Sequence, residues 1–111
     1  VTVPEFGKLN IKRVNDFTPK PNVLYIDYKK LPQGAVWRYR KEGDVIEKLG
    51  GGTKKLKSFL IDKKIPQRER DFIPVLAYGN EVYVVAGLEI SNKVRLDEKT
   101  KSAIKIEDEK K

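Results

Sequence analysis

The stretch IPVLAYGNEVYVVAGLEI, residues 73–90, constrains the fold more than any other part of the chain. Two runs of β-branched and aromatic residues flank Gly79 and Asn80, a pair whose backbone tolerance suits a tight turn. The pattern predicts an antiparallel hairpin, and so a sheet built by local chain reversal rather than by parallel crossovers. The whole sequence has 111 residues without a shift in composition, which suits one domain around one core.

Other segments follow the same logic. VTVPEFGKLNIKRV predicts a second hairpin, interrupted at Pro4 and Gly7, with Leu9, Ile11 and Val14 alternating against polar neighbours. NDFTPKPN is a connector, because proline gives no N–H to a ladder and pushes the residue before it out of helix. Val23 to Tyr28 reads as a strand ended by the LPQG turn. In AVWRYR, Trp37 and Tyr39 share one side, while Val36, Arg38 and Arg40 share the other. The two arginines then stand about 7 Å apart on one strand face.

KEGDVIEKLGGG reads as an irregular loop, and Thr53 stands where a helix N-cap belongs. Leu56, Phe59, Leu60 and Lys63 fall at helical spacing, so the intervening lysines ride an amphipathic helix. Pro66 stops it and opens a second short helix through QRERDF. VRLDEKTKSAIKI predicts one helical turn from Asp97 and a last strand ending near Ile106. Hairpin-rich strands around a central pair of short helices make the fold class α+β. The expected layout is leading strands and connector over 1–35, a core with the basic helix over 36–106, and a solvated tail over 107–111.

Charge narrows the function. The net charge is +8, and residues 36–70 hold eleven Lys or Arg against five Asp or Glu. A polyanionic partner would meet the middle of the chain, although lysines kept for solubility explain many basic surfaces. With no cysteine and no histidine, disulfides, thiolate and imidazole ligands and the commonest general base are all missing. No apolar run approaches the roughly 18 to 20 residues of a membrane span, and no leader pattern opens the chain, so the expected setting is cytoplasmic. A sequence that begins at Val1 and contains no methionine reads as an excised piece of a longer protein.

The run GGGTKKLKSFLIDKKIP invites three readings: a nucleotide loop, a nucleic-acid surface, or a capped helix with a soluble face. A Walker loop needs Gly-Lys followed by Ser or Thr, whereas here Thr53 precedes Lys54; the contiguous glycines also fail the dinucleotide fingerprint. A weaker phosphate reading survives, in which Gly51, Gly52 and Thr53 bring backbone N–H groups to a phosphodiester and Lys54, Lys55 and Lys57 add cations. Cations at a helix N-terminus oppose the dipole by about 0.3 to 1 kcal/mol each, so structure alone would not choose them. Arg38 and Arg40 extend that surface by forked phosphate contacts, or else pair with Glu42, Asp44 or Asp27. Tyr25, Tyr28 and Tyr39 are candidates for base stacking or for the core, and Trp37 is assigned to the core. Asp44, Asp62 and Asp71 read as caps and ion-pair partners, since no second clustered carboxylate supports acid–base catalysis.

The order RYRKEGD, a short loop, GGGTKKLKSFLIDKKIP, RERD, IPVL and VYVVAGLEI resembles the C-terminal domain of the bacterial tRNA(Ile)-lysidine synthetase family, most specifically over Arg38 to Ile90. The chain departs from that pattern at Glu42, where proline is frequent, and at Val45, where arginine is common. The resemblance implies a parent ligase that uses ATP and Mg to adenylate the wobble cytidine of an isoleucine tRNA with a CAU anticodon and joins lysine to it. It implies an N-terminal catalytic domain outside this sequence, and no catalytic residue, cofactor or metal here. The fold implied is a sandwich flanked by helices, similar to a domain of the phenylalanyl-tRNA synthetase beta subunit. The role implied is to grip tRNA along the acceptor stem. Lys54, Lys55, Lys57, Arg38 and Arg40 would contact the backbone, with Lys63, Lys64 and Arg68 in support. Partners on this reading are tRNA, the catalytic domain of the same polypeptide and a second copy in a homodimer, with no membrane. Two rival readings are a protein-docking module, whose basic face pairs with acids on the catalytic part or a second subunit, and an autonomous enzyme.

Overall fold

A computed structural model describes residues 9–16, 18 and 23–108. Among these residues nine strands form two sheets. In chain order they are β1 (Leu9–Val14), β2 (Val23–Asp27), β3 (Val36–Arg38), β4 (Val45–Glu47), β5 (Thr53–Lys55), β6 (Val75–Tyr78), β7 (Glu81–Val85), β8 (Glu89–Ile90) and β9 (Ala103–Asp108). Two short helices, α1 (Leu56–Asp62) and α2 (Gln67–Arg70), lie between β5 and β6. The small sheet has the order β1-β9-β2; the larger runs β3-β6-β7-β4-β5, with β8 also paired to β7. All pairings are antiparallel except β4 with β7.

The hairpin over residues 73–90 forms as its sequence requires: β6 and β7 pair through a turn at Gly79 and Asn80. Leu76 faces Val84 and Ala77 faces Val82, which leaves Tyr83 as an extra residue in β7. That bulge sends two successive side chains, Tyr83 and Val84, to the same side. The large sheet therefore carries two cores. On one face Trp37, Leu76, Tyr83 and Val84 pack with Ile26, Ile104 and Ile106 of the small sheet. On the other, Ile46, Val75, Ala77, Val82 and Val85 pack with Leu56, Phe59 and Leu60 of α1. The layers run small sheet, large sheet, helix, which is the sandwich flanked by short helices.

Several local expectations change. Where the pattern predicts an irregular loop across 41–52, Val45–Glu47 is a strand; three residues are too few to show a periodicity, and Ile46 is drawn into the core by β7. Where Thr53 is expected to cap a helix, Thr53–Lys55 instead pairs with β4, and α1 begins only at Leu56 with Lys55 as its uncapped entry. The residues from Asp97 form a turn, not a helical turn: the Thr100 N–H closes one bond to the Asp97 carbonyl at 3.1 Å, and the chain then leaves for β9 without a second. β9 continues through Glu107 and Asp108 rather than ending at Ile106, because Glu107 is matched to Asn10 and Val23. The first half of the predicted N-terminal hairpin and residues 109–111 of the expected tail lie outside the described residues; Leu9–Val14 pairs with β9.

Candidate nucleic-acid interface

Three glycines in a row exist here for the backbone. Gly50, Gly51 and Gly52 have φ of 91°, 101° and 90°, the left-handed side that side chains avoid. They close the turn between β4 and β5, in which the Lys48 N–H donates to the Gly52 carbonyl and the Gly51 N–H to the Lys48 carbonyl, both at 2.9 Å. The run thus sits at the far end of a hairpin from α1, separated from it by the three residues of β5, about 10 Å of strand. Gly51, Gly52 and Thr53 line a hairpin turn and the start of β5, not the expected entrance to a helix.

The arginines are also held by the protein. Arg38 places Nη1 and Nη2 at 2.8 and 2.9 Å from the two carboxylate oxygens of Asp44, a forked pair. Its remaining contacts go to the carbonyls of Tyr39 and Gly79, at 2.9 and 2.8 Å. Asp44 is buried, accepts the Lys41 N–H at 2.7 Å, and offers its own carbonyl to the Leu56 N–H at 2.9 Å. One guanidinium thereby fastens β3, the 39–44 loop, the β6–β7 turn and the start of α1. Arg40 lies beyond the end of β3 and pairs with Asp71 at 2.7 Å. The two arginines are not a shared strand face open to phosphate; each meets an acid, one six residues away and one 31 residues away.

The lysines divide into two sets. Lys54 forms an ion pair with Asp62, and Lys63 lies 3.8 Å from Glu89. These four side chains ring a small apolar cleft floored by Ile46, Phe59 and Ile90. Lys55 and Lys57 are exposed, and among the described residues no carboxylate pairs with them, nor with Lys41, Lys64 or Arg68. Lys55, Lys57, Lys41 and Arg40 line one depression of about 240 Å³, closed by Glu42, Gly43, Asp44 and Val45. Lys41 was not singled out by spacing; its signal is its place directly after Arg40 in RYRKEGD, in the loop that the Arg38–Asp44 pair folds back toward α1. Lys64 ends α1 in the left-handed region, φ 61°, while the Lys64 N–H bonds Ile61 and the Ile65 N–H bonds Leu60. That double bond is a Schellman cap, normally a glycine's position.

The aromatic residues sort likewise. Trp37 is in the core as assigned, whereas Tyr28 and Tyr39 remain at the surface, Tyr28 beneath the Arg13 guanidinium at 4.0 Å. Tyr25 donates its hydroxyl to the Thr18 carbonyl at 2.8 Å. Asp44, Asp62 and Asp71 are ion-pair partners, as read from the sequence. Among the described residues no group of three or more acidic side chains is arranged to hold a metal ion. Among the described residues no helix is long and apolar enough to cross a membrane.

The class of protein is thus a mostly-β domain of two sheets and two short helices, with a cationic depression beside the first helix. The chain belongs to the TilS substrate C-terminal domain family, whose model matches residues 35–106. It is 40% identical over 112 residues to the tRNA(Ile)-lysidine synthase of Caldanaerobacter subterraneus subsp. tengcongensis, covering 96% of this chain and 24% of that protein. The tRNA(Ile)-lysidine synthase of Clostridium tetani is 42% identical over 85 residues, 76% of this chain and 18% of its own length. A crystal structure of a TilS C-terminal domain superimposes with a TM-score of 0.73 at 26% identity, covering 89% of this chain and 80% of that one. The chain spans no more than a quarter of the length of these synthases.

Proposed function

We propose that this chain is the tRNA-gripping domain of a tRNA(Ile)-lysidine synthase, acting by recognition while the ATP-dependent joining of lysine to the wobble cytidine of isoleucine tRNA is carried out elsewhere in the parent polypeptide. The observation that carries the reading is the convergence of Lys41, Lys55 and Lys57 on one depression, none of them in an ion pair with a described acid: of the two acids that line it, Asp44 is held by Arg38 and Glu42 alone faces the three ammonium groups. Solvated ammonium groups brought together repel one another, and a phosphate chain relieves that repulsion by releasing its own counterions. Contacts of this kind fix register, whereas helical RNA is read by shape and 2′-hydroxyl groups more than by base edges. Lys64 and Arg68 are further exposed cations that extend the surface. Arg38, Arg40, Lys54 and Lys63 serve it indirectly, by holding the loop and the helix in place.

The test is charge reversal at Lys55 and Lys57 together. Affinity for tRNA falls, and the slope of log affinity against log salt falls by about two, one for each lost phosphate contact. Binding that survives the double change at every ionic strength refutes the assignment.

A further inference from the structure

Phe72 is the most exposed large apolar side chain among the described residues, at 69%, and it is held there by the backbone on both sides. Before it, α2 ends at Arg70 with Asp71 as its C-cap, and the Phe72 N–H still bonds the Glu69 carbonyl at 3.1 Å. After it, Ile73 packs into the helix-side core and the Pro74 carbonyl accepts from Ala86 at 3.0 Å. Tyr39, 41% exposed, meets the Phe72 ring edge-on with centroids 6.0 Å apart and planes at 77°. The Arg40–Asp71 ion pair joins the residues next to these two rings, and Arg40 also lines the cationic depression with Lys41, Lys55 and Lys57. An aromatic surface is therefore continuous with a phosphate-attracting one through a single guanidinium.

We propose that Phe72, braced by Tyr39, is a stacking platform for one unpaired nucleotide of the bound RNA, whose adjoining phosphates lie over the Lys41, Lys55 and Lys57 depression. The proposal rests on the phosphate reading above and deepens it: the ligand is a helix with a single-stranded end or bulge, not an uninterrupted duplex. Bases inside a duplex hide both faces and a terminal pair is fixed in place by the stack beneath it, so a solvent-facing ring gains less from blunt duplex than from an unstacked base, which is free to lay its full π-face on the ring. An apolar protein partner is the other occupant such a ring could take. The adjoining depression argues for RNA, since the unpaired Lys41, Lys55 and Lys57 beside the ring suit the phosphate that every nucleotide carries.

The experiment measures binding of the chain to a two-stranded RNA duplex with a 3′ single-stranded tail and to the same duplex made blunt, with 2-aminopurine in the tail reporting stacking. The wild type prefers the tailed RNA and quenches the 2-aminopurine. Phe72→Ala lowers affinity for the tailed RNA by about tenfold, the effect of losing one stacked base, abolishes the quench, and changes affinity for the blunt RNA less than twofold. Phe72→Tyr restores both. Lys57→Glu instead weakens binding to both RNAs. Equal affinity of the wild type for the two RNAs, or a Phe72→Ala effect that is absent or the same on both, overturns the platform and leaves the phosphate reading standing. If the wild type binds neither RNA, both fall.

Discussion

Single residues carry two opposite kinds of strain. Lys64 adopts φ 61° at the end of α1, where a glycine would cost nothing sterically. Lys64→Gly is expected to raise unfolding stability by about 1 kcal/mol in urea titration while lowering RNA affinity, since it removes one exposed cation. A lysine kept in a glycine's place makes sense if its charge is used. Asp44 is the reverse case, a buried acid whose removal leaves Arg38 forked around nothing. Asp44→Ala is expected to cost about 3 kcal/mol, the lower part of the range for breaking a buried pair because Arg38 is still partly exposed. A third residue, Asp97, gives the acid-side behaviour. The hydrogen bond from Lys30, and then that from the Lys99 N–H, hold its carboxyl below the usual 3.8. Its folded value lies below its unfolded one, so its stabilisation is present above the unfolded value and is lost as pH falls through the folded one. Melting temperature against pH should therefore fall less steeply on the acid side in Asp97→Asn than in the wild type.

At the level of elements, what was legible in the sequence is what is local. The β6–β7 hairpin announces itself through Gly79 and Asn80 between two apolar runs, and Leu56, Phe59 and Leu60 mark the buried face of α1 by spacing alone. What was not legible depends on partners far along the chain. Val45–Glu47 becomes a strand because β7 supplies a parallel edge, and Thr53–Lys55 becomes one because β4 supplies an antiparallel edge, which delays the helix by two residues. Strand spacing placed Arg38 and Arg40 together, but only the fold could show that α2 delivers Asp71 to the second of them. The glycine run illustrates the difference in a testable way. Gly51→Ala is expected to destabilise the β4–β5 turn by about 1 to 2 kcal/mol, because φ 101° is closed to a side chain. It should leave RNA affinity within twofold, since the turn stands a strand's length from the free lysines. A loss of affinity as large as that of Lys57→Glu would restore the glycine backbone as a phosphate contact.

Across the whole molecule, the excess of positive charge is not spread evenly in its availability. The same central block of sequence supplies cations that bind the protein to itself, at Arg38, Arg40, Lys54 and Lys63, and exposed cations in no described ion pair, at Lys41, Lys55, Lys57, Lys64 and Arg68. Composition counts the two sets alike; three packed layers separate them. The central claim is that only the second set meets RNA. Salt-dependent tRNA binding, followed by fluorescence anisotropy, compares a Lys41→Ala, Lys55→Ala, Lys57→Ala triple variant with a Lys54→Ala, Lys63→Ala double variant. The triple variant is predicted to lose about three units of salt slope with its fold intact by circular dichroism, and the double variant to keep the wild-type slope while losing stability. Equal losses of slope in the two variants, or none in the triple, would contradict the account.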